Sequence, residues 1–255
     1  MMKATAMLLL SGLPILGAAC AAPAVRIVQE QVRAYNARDL EWFAGLYAPN
    51  AAIHNLITGE VVGQGESYFR ERYGQRFTTC PDLHATIHRR IAFGDYVIDY
   101  EEVVRKKADP TVQAVAIYRV AAGKIADVWF AFDHDVNMDA AHDAQRAFAQ
   151  HERAVRGRDL TQYQDTFAAE AQILSFPDGR VLRRTRDEIM AEVRPLMEGD
   201  ESFDWKIADQ NVFGNLVINL ERQRIGRASR WTNRVVIYEF AESRIRRCWV
   251  LSDDR

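Results

Sequence analysis

The chain is short of several things, and each shortage excludes a class of protein. It has three cysteines in 255 residues, too few for a disulfide scaffold or a paired-cysteine zinc site. Its net charge is −2, so nothing in the composition offers a basic footprint for nucleic acid. It has no glycine-rich phosphate loop and no Ser-His-Asp order. Its one sustained apolar run, Ala4–Leu16, is too short, and too broken by Gly12 and Pro14, for a lasting transmembrane helix. What remains, 48% hydrophobic and 27% charged residues, is the make-up of a globular chain.

The apolar run instead reads as a signal peptide over residues 1–20. Lys3 supplies the positive start and Gly17-Ala18-Ala19 the small residues before a cut. Two cleavage routes fit. Leu16-Gly17-Ala18-Ala19-Cys20 resembles a bacterial lipobox, which would make Cys20 the lipid-bearing first residue. Ala19-Cys20-Ala21 also fits an ordinary A-x-A cut. On either route the mature protein is expected outside the cytoplasm, periplasmic or lipid-anchored. Cys80 and Cys248 lie in different halves and are expected to be free, the first in a loop and the second buried in a strand.

What the chain does have is itself, twice, at an offset of 120 residues. Arg38-Asp39-Leu40 returns as Arg158-Asp159-Leu160, Phe93-Gly94 as Phe213-Gly214, Ile117-Tyr118 as Ile237-Tyr238 and Trp129 as Trp249. A constant offset over most of the chain marks a tandem duplication of one globular unit, not a short-period solenoid. The expected domains are residues 24–134 and 141–255, joined by a linker at 135–140. The duplication also gives an internal control: positions polar in one copy only are the better candidates for function.

Each copy opens with helical spacing, Val25, Val28, Val32 and Tyr35 in the first. Asp39 and Asp159 are expected to cap a second helix, and Asp139 the first helix of the second copy. A hairpin follows around Thr58-Gly59-Glu60, and around Pro177-Asp178-Gly179. A third helix carries Phe69, Tyr73 and Phe77, answered by Ile189, Val193 and Met197. Four long strands complete each copy. The expected architecture is α+β: two tandem cones, each with three helices on a curved antiparallel sheet.

The words Ala34-Tyr35-Asn36-Ala37-Arg38-Asp39-Leu40, Leu46-Tyr47-Ala48-Pro49-Asn50-Ala51, Arg70-Glu71-Arg72-Tyr73 and Val115–Trp129 resemble the nuclear transport factor 2-like superfamily, in its SnoaL-like and ketosteroid-isomerase-like branch. The resemblance implies a cone with an apolar pocket, pairing through the outer sheet surface, and in some members cofactor-free proton transfer beside a carbonyl. The fold hosts many functions, so activity has to be argued from the site. By resemblance the base position falls on Asn55 and Ser175, the donor tyrosine near Gln31 and His151, and the protonated acid near Ala116 and Val236. None of these residues supplies the group that steroid isomerisation needs, so the standard ketosteroid-isomerase design is excluded.

The candidate catalytic residues are His54, where the second copy has Leu174, and Asp99, which shares a strand face with Glu101. On a concave face the two carboxylates would have their pKa values pushed apart; on a convex face they would be solvated charges. Asn55, Tyr100, Tyr118 and Trp129 are the candidate ligand-binding residues. Because the first copy keeps more ionisable groups, it is expected to hold the pocket, for a small hydrophobic or amphipathic molecule, with no cofactor. Asp133-His134-Asp135-Val136-Asn137-Met138-Asp139 has oxygens at alternate places but lacks the turn glycine and the final acid of a calcium loop, so no metal is expected. The resemblance allows the two copies to pack as an internal pseudo-dimer, with any membrane contact only through the lipid on Cys20.

Overall fold

The first copy begins with helix α1 (Ala18–Ala37), which stops where Arg38 takes a left-handed φ of 57°. Asp39 then restarts the chain as N-cap of α2 (Leu40–Gly45), its carboxylate accepting from the Trp42 N–H at 2.9 Å. Such a cap contributes about 1 kcal/mol. Next come β1 (Tyr47–Asn55), β2 (Val61–Gln64) and α3 (Gly65–Thr79). A meander closes the unit: β3 (His84–Phe93), β4 (Tyr96–Val104), β5 (Val112–Ala121) and β6 (Lys124–Phe132). This is a computed structural model, and it describes residues 18–200, 202–226 and 229–252, with side chains from Pro23 onward. Most of the expected signal peptide and the side chain of Cys20 lie outside the described residues. Among the described residues no helix is long and apolar enough to cross a membrane.

The second copy repeats the order: α4 (Ala141–Gly157), α5 (Leu160–Asp165), β7 (Phe167–Ser175), β8 (Val181–Arg183), α6 (Arg186–Glu198), β9 (Phe203–Phe213), β10 (Leu216–Ile225), β11 (Thr232–Ala241) and β12 (Arg244–Ser252). Arg158 and Asp159 perform the same stop and restart, with Asp159 accepting from Gln162 N–H at 2.9 Å. Asp139 does not cap α4. The N-cap is Ala140, with no side-chain hydrogen bond, because a 3₁₀ turn at Met138–Ala140 leads straight into the helix.

Each sheet has six strands, in the orders β2-β1-β6-β5-β4-β3 and β8-β7-β12-β11-β10-β9. The sheets are mixed, not wholly antiparallel as expected. β1 runs parallel to β6, and β7 to β12, because the last strand of each meander returns beside the first strand of its unit.

Alternation sends one set of strand residues to the helices and the other to the opposite face. Val97, Ala116, Tyr118 and Val128 join Tyr35, Phe43 and Phe69 in the first cone's core. Ile98, Ile117 and Trp129 point the other way and meet Ile218, Ile237 and Trp249 of the second sheet in a shared core. Along the central strands both faces of each sheet are therefore buried. A bulge on β3 between Ile87 and Arg89 flips the alternation, so Ile91 reaches the shared core while Arg90 pairs with Asp99.

Arg89 and Asp209 stand at the same position of the two copies and bond to each other, Nε to Oδ1 at 3.0 Å. A residue that meets its own counterpart lies on the twofold axis of a self-complementary contact. Here the counterparts carry opposite charges, whereas two identical copies would place like charges on that axis.

Candidate functional site

The two cones differ in what fills them. In the first, Tyr35, Phe43, Tyr73 and Phe77 form one aromatic cluster, with centroid separations of 4.4 Å for Phe43–Tyr73 and 5.6 Å for Tyr35–Phe77. Tyr68 covers Gly63 so closely that a Cβ there would sit 2.0 Å from its ring. The remaining cavity is about 50 Å³, room for a few water molecules and not for an organic ligand. In the second copy the positions of Tyr35, Tyr73 and Phe77 hold Val155, Val193 and Met197, and those of Gly63 and Tyr68 hold Arg183 and Glu188. Four of those rings are gone and the cavity is about 420 Å³, within the size range of small-molecule sites. The ionisable groups point to the first copy as the holder of the pocket, but the larger of these two cavities lies in the second. Counting ionisable groups had passed over the volume of the aromatics.

The second cavity has apolar walls and a polar floor. Val155, Val193, Leu196 and Met197 come from α4 and α6, Phe167 and Ile173 from β7. Trp205, Arg234 and Tyr238 line the floor, and behind them the fully buried Glu221 accepts from Trp205 Nε1 at 2.9 Å, Tyr238 Oη at 2.7 Å and Arg234 Nε at 2.9 Å. Burial opposes its ionisation, but the charge of Arg234 and these hydrogen bonds outweigh it and hold the carboxyl below the usual range. Arg234 is thus fixed at the cavity by its own ion pair.

His151 is the second polar group on the cavity, buried on α4 among Phe148, Tyr163, Phe167 and Tyr238. Its Nδ1 lies 3.0 Å from Thr166 Oγ1, and that hydroxyl donates to Tyr163 O at 2.6 Å. The hydroxyl proton is committed, so Oγ1 accepts and Nδ1 carries the imidazole hydrogen. Nε2 is left as a lone-pair acceptor. Burial first, and then the Arg234 charge, push the His151 pKa down to about 4 despite the opposing pull of Glu221, which keeps the ring neutral. Burial likewise pushes the Cys248 thiol up, so it stays protonated.

The residues singled out in the first copy are dispersed. Of the six, only Tyr118 lines the first cavity. Asp99 is on the cone side but engages Arg90 through two bonds, of 2.7 and 2.6 Å. Its neighbour Glu101 is the carboxylate that reaches the cavity. Burial, then the Asp99 charge, push the Glu101 pKa up to about 8, against the pull of Arg90 and Arg76. His54 is on the opposite face, stacked on Trp129 at 4.9 Å with Nε2 3.2 Å from Asp127. Trp129 itself packs against Phe176 of the second unit. Tyr100 faces Phe213 across the same interface. Asn55 folds back on its own turn, accepting from Ile57 N–H at 2.8 Å and Thr58 N–H at 3.0 Å. Strand alternation thus carries His54, Tyr100 and Trp129 to the face opposite the cone, and Asn55 is taken up by its own turn and by Asp135.

Asp133 and Asp135 are turned onto backbone N–H groups of Gln113 and Phe132, which accounts for that acidic stretch. Among the described residues no three His, Cys, Asp or Glu side chains are gathered to hold a metal ion. Cys80 and Cys248 are free, and both are buried, Cys80 at the end of α3. Sequence comparison of the copies could have found the second site: His151 answers Gln31, Arg234 answers Ala114, and Val193 answers Tyr73.

Helices closing a curved mixed sheet into a cone make each unit α+β. Residues 28–128 match the family model described as SnoaL-like domain, so the first unit is a SnoaL-like domain, and the tandem sheets fit two copies of it. Among solved structures the chain is similar to an uncharacterised cystatin-fold protein from Novosphingobium aromaticivorans, at 26% identity over 42% of this chain and 97% of that one, TM-score 0.39. It is similar also to a putative ketosteroid isomerase from Kribbella flavida, at 18% identity over 44% and 78%, TM-score 0.39. A third is AclR, a putative hydroxylase from Streptomyces galilaeus, at 18% identity over 44% and 79%, TM-score 0.38. No curated protein matches the chain.

Proposed function

We propose that this is an exported two-cone protein that binds a small apolar or amphipathic molecule in its second cone. The observation that carries the reading is the contrast between about 420 Å³ there and about 50 Å³ in the first cone. The first unit then acts as a filled partner that covers the outer face of the second sheet. Binding is favoured over turnover because His151, with a pKa near 4, is a weak base near neutral pH. Any cofactor-free proton transfer is assigned to His151, not to His54 and Asp99, which are spent on Asp127 and Arg90.

The neutral fluorophore N-phenyl-1-naphthylamine brightens when it leaves water and tests the cavity directly. The wild type is expected to bind it. Val193→Tyr/Met197→Phe restores two of the first cone's rings and is expected to weaken binding by about tenfold or more, a loss of roughly 1.4 kcal/mol. Near-UV circular dichroism checks that the double variant keeps its fold. Undiminished binding in a folded double variant would sink the reading.

Export rests on Lys3, the run Ala4–Leu16 and the small residues before Cys20. Mass spectrometry of the mature N terminus should show either a lipid on Cys20 or a cut beside it. A full-length chain starting at Met1 in the cytoplasmic fraction would contradict export.

A further inference from the structure

The floor of the second cavity has a specific hydrogen-bonding pattern, and that pattern selects a head group. This step rests on the binding reading above and asks what the bound molecule must present. The positive charge of Arg234 is already met by Glu221, at 2.8 Å for the closest oxygen. At the mouth, Arg183 and Glu192 meet each other at 2.6 Å. The site therefore offers no unpaired charge of either sign. A carboxylate on the ligand would be a second anion competing for one guanidinium, in surroundings where an uncompensated charge costs several kcal/mol. A ligand cation would find its nearest carboxylates already taken.

The groups left over are both donors and an acceptor. Arg234 binds Glu221 through Nε and Nη2, which leaves Nη1 with its hydrogens unspent. The Tyr163 hydroxyl is on the cavity and has no hydrogen bond to another described residue. His151 contributes the opposite character: its Nδ1 hydrogen goes to Thr166, so Nε2 accepts. The aligned residues of the first copy, Ala114, Phe43 and Gln31, cannot form this set.

We propose that the second cone takes a neutral amphiphile whose head carries both a hydroxyl and a carbonyl, the hydroxyl donating to His151 Nε2 and the carbonyl oxygen accepting from Arg234 and Tyr163. Its hydrocarbon body lies along Val155, Val193 and Leu196. The pairing leaves no buried polar group of the floor without a partner, which is the condition for discrimination by more than an order of magnitude.

Three probes with one naphthalene body test this by competition against N-phenyl-1-naphthylamine. They are 2-hydroxy-1-(2-naphthyl)ethanone, 2-acetylnaphthalene, which lacks the hydroxyl, and 2-naphthoate, which carries a charge. The hydroxyketone is expected to bind about tenfold more tightly than either of the others. His151→Phe keeps an aromatic ring and should remove the advantage over 2-acetylnaphthalene. Glu221→Gln strips Arg234 of its partner charge and should shift preference toward 2-naphthoate, a reversal that a merely structural role for Glu221 does not produce. Wild-type preference for 2-naphthoate, equal binding of the two ketones, or an unchanged order in a folded Glu221→Gln variant would overturn the proposal while leaving the cavity reading intact. Failure of all three probes to displace a fluorophore that does bind overturns it as well. If neither fluorophore nor probes bind, the cavity reading itself is wrong.

Discussion

Raising the pH from 5 to 8 will cost the wild-type protein stability that Glu101→Gln does not lose. Glu101 lines a cavity too small to hydrate it well and makes no side-chain hydrogen bond to a described residue, and its pKa rises from 4.5 to about 8. Between those values the unfolded chain has released this proton and the folded chain still holds it. The folded state binds more protons, so stability falls as pH rises through the window. One pKa unit corresponds to about 1.4 kcal/mol, so the difference between wild type and Glu101→Gln should grow by something on the order of 4 kcal/mol across it. Taking the difference matters because His151 works the other way: its depressed pKa makes the folded state gain stability as pH rises from about 4 to 6.5. Denaturant titrations of both proteins at pH 5, 6, 7 and 8 give the slope. Parallel pH profiles would show that Glu101 is ionised in the fold.

Its aligned partner predicts the opposite behaviour. Glu221→Ala should lower stability by about 3–5 kcal/mol, because it strands Arg234 and leaves Trp205 and Tyr238 without their acceptor. For a chain of this size that is a fall in melting temperature on the order of 10 °C. The contribution of Glu221 is present above its unfolded pKa and disappears as pH falls through its lower folded value. The same substitution at position 101 removes a group without such partners and should cost less at pH 8. A melting temperature for Glu221→Ala within a degree or two of wild type would show that the buried cluster is not a structural hub.

One aligned glutamate thus has two physical roles, and three of its neighbours differ: Ala85 against Trp205, Asp99 against Asn219, and the residue beside it on the next strand. Ala114 stands beside Glu101, and Arg234 beside Glu221. A buried carboxylate with no directly paired cation and an anion nearby keeps its proton; one with a paired guanidinium gives it up. Glu101 and Glu221 are the same residue type at aligned positions and by that alone look like one structural part. The register of β4 with β5, and of β10 with β11, shows two different ones.

Much of the fold was legible in the residues themselves. The offset of 120 residues gave two units, and Asp39 and Asp159 gave the restart of each second helix. These are local properties, set by side chains within a few positions of one another. The parallel pairing of β1 with β6 was not legible, because strands far apart in sequence carry no local mark of their neighbour's direction.

The sequence by itself determined that there are two cones and where their helices and strands fall, since periodicity and capping act over one turn or one strand. Only the tertiary structure decided which face of each strand is the cone. Alternation on β4 separates Ile98 from Val97 and Asp99, but both sets are buried, one between the sheets and one under the helices. When both faces of a sheet lose their water, hydrophobicity ceases to tell inside from interface. For that reason Tyr100 and Trp129 looked like pocket residues and belong to the domain contact, while His54 stands on the same face, stacked on Trp129. The open site, in turn, depends on the space left by Val155, Val193 and Met197, and space is a property of packing against neighbours distant in sequence.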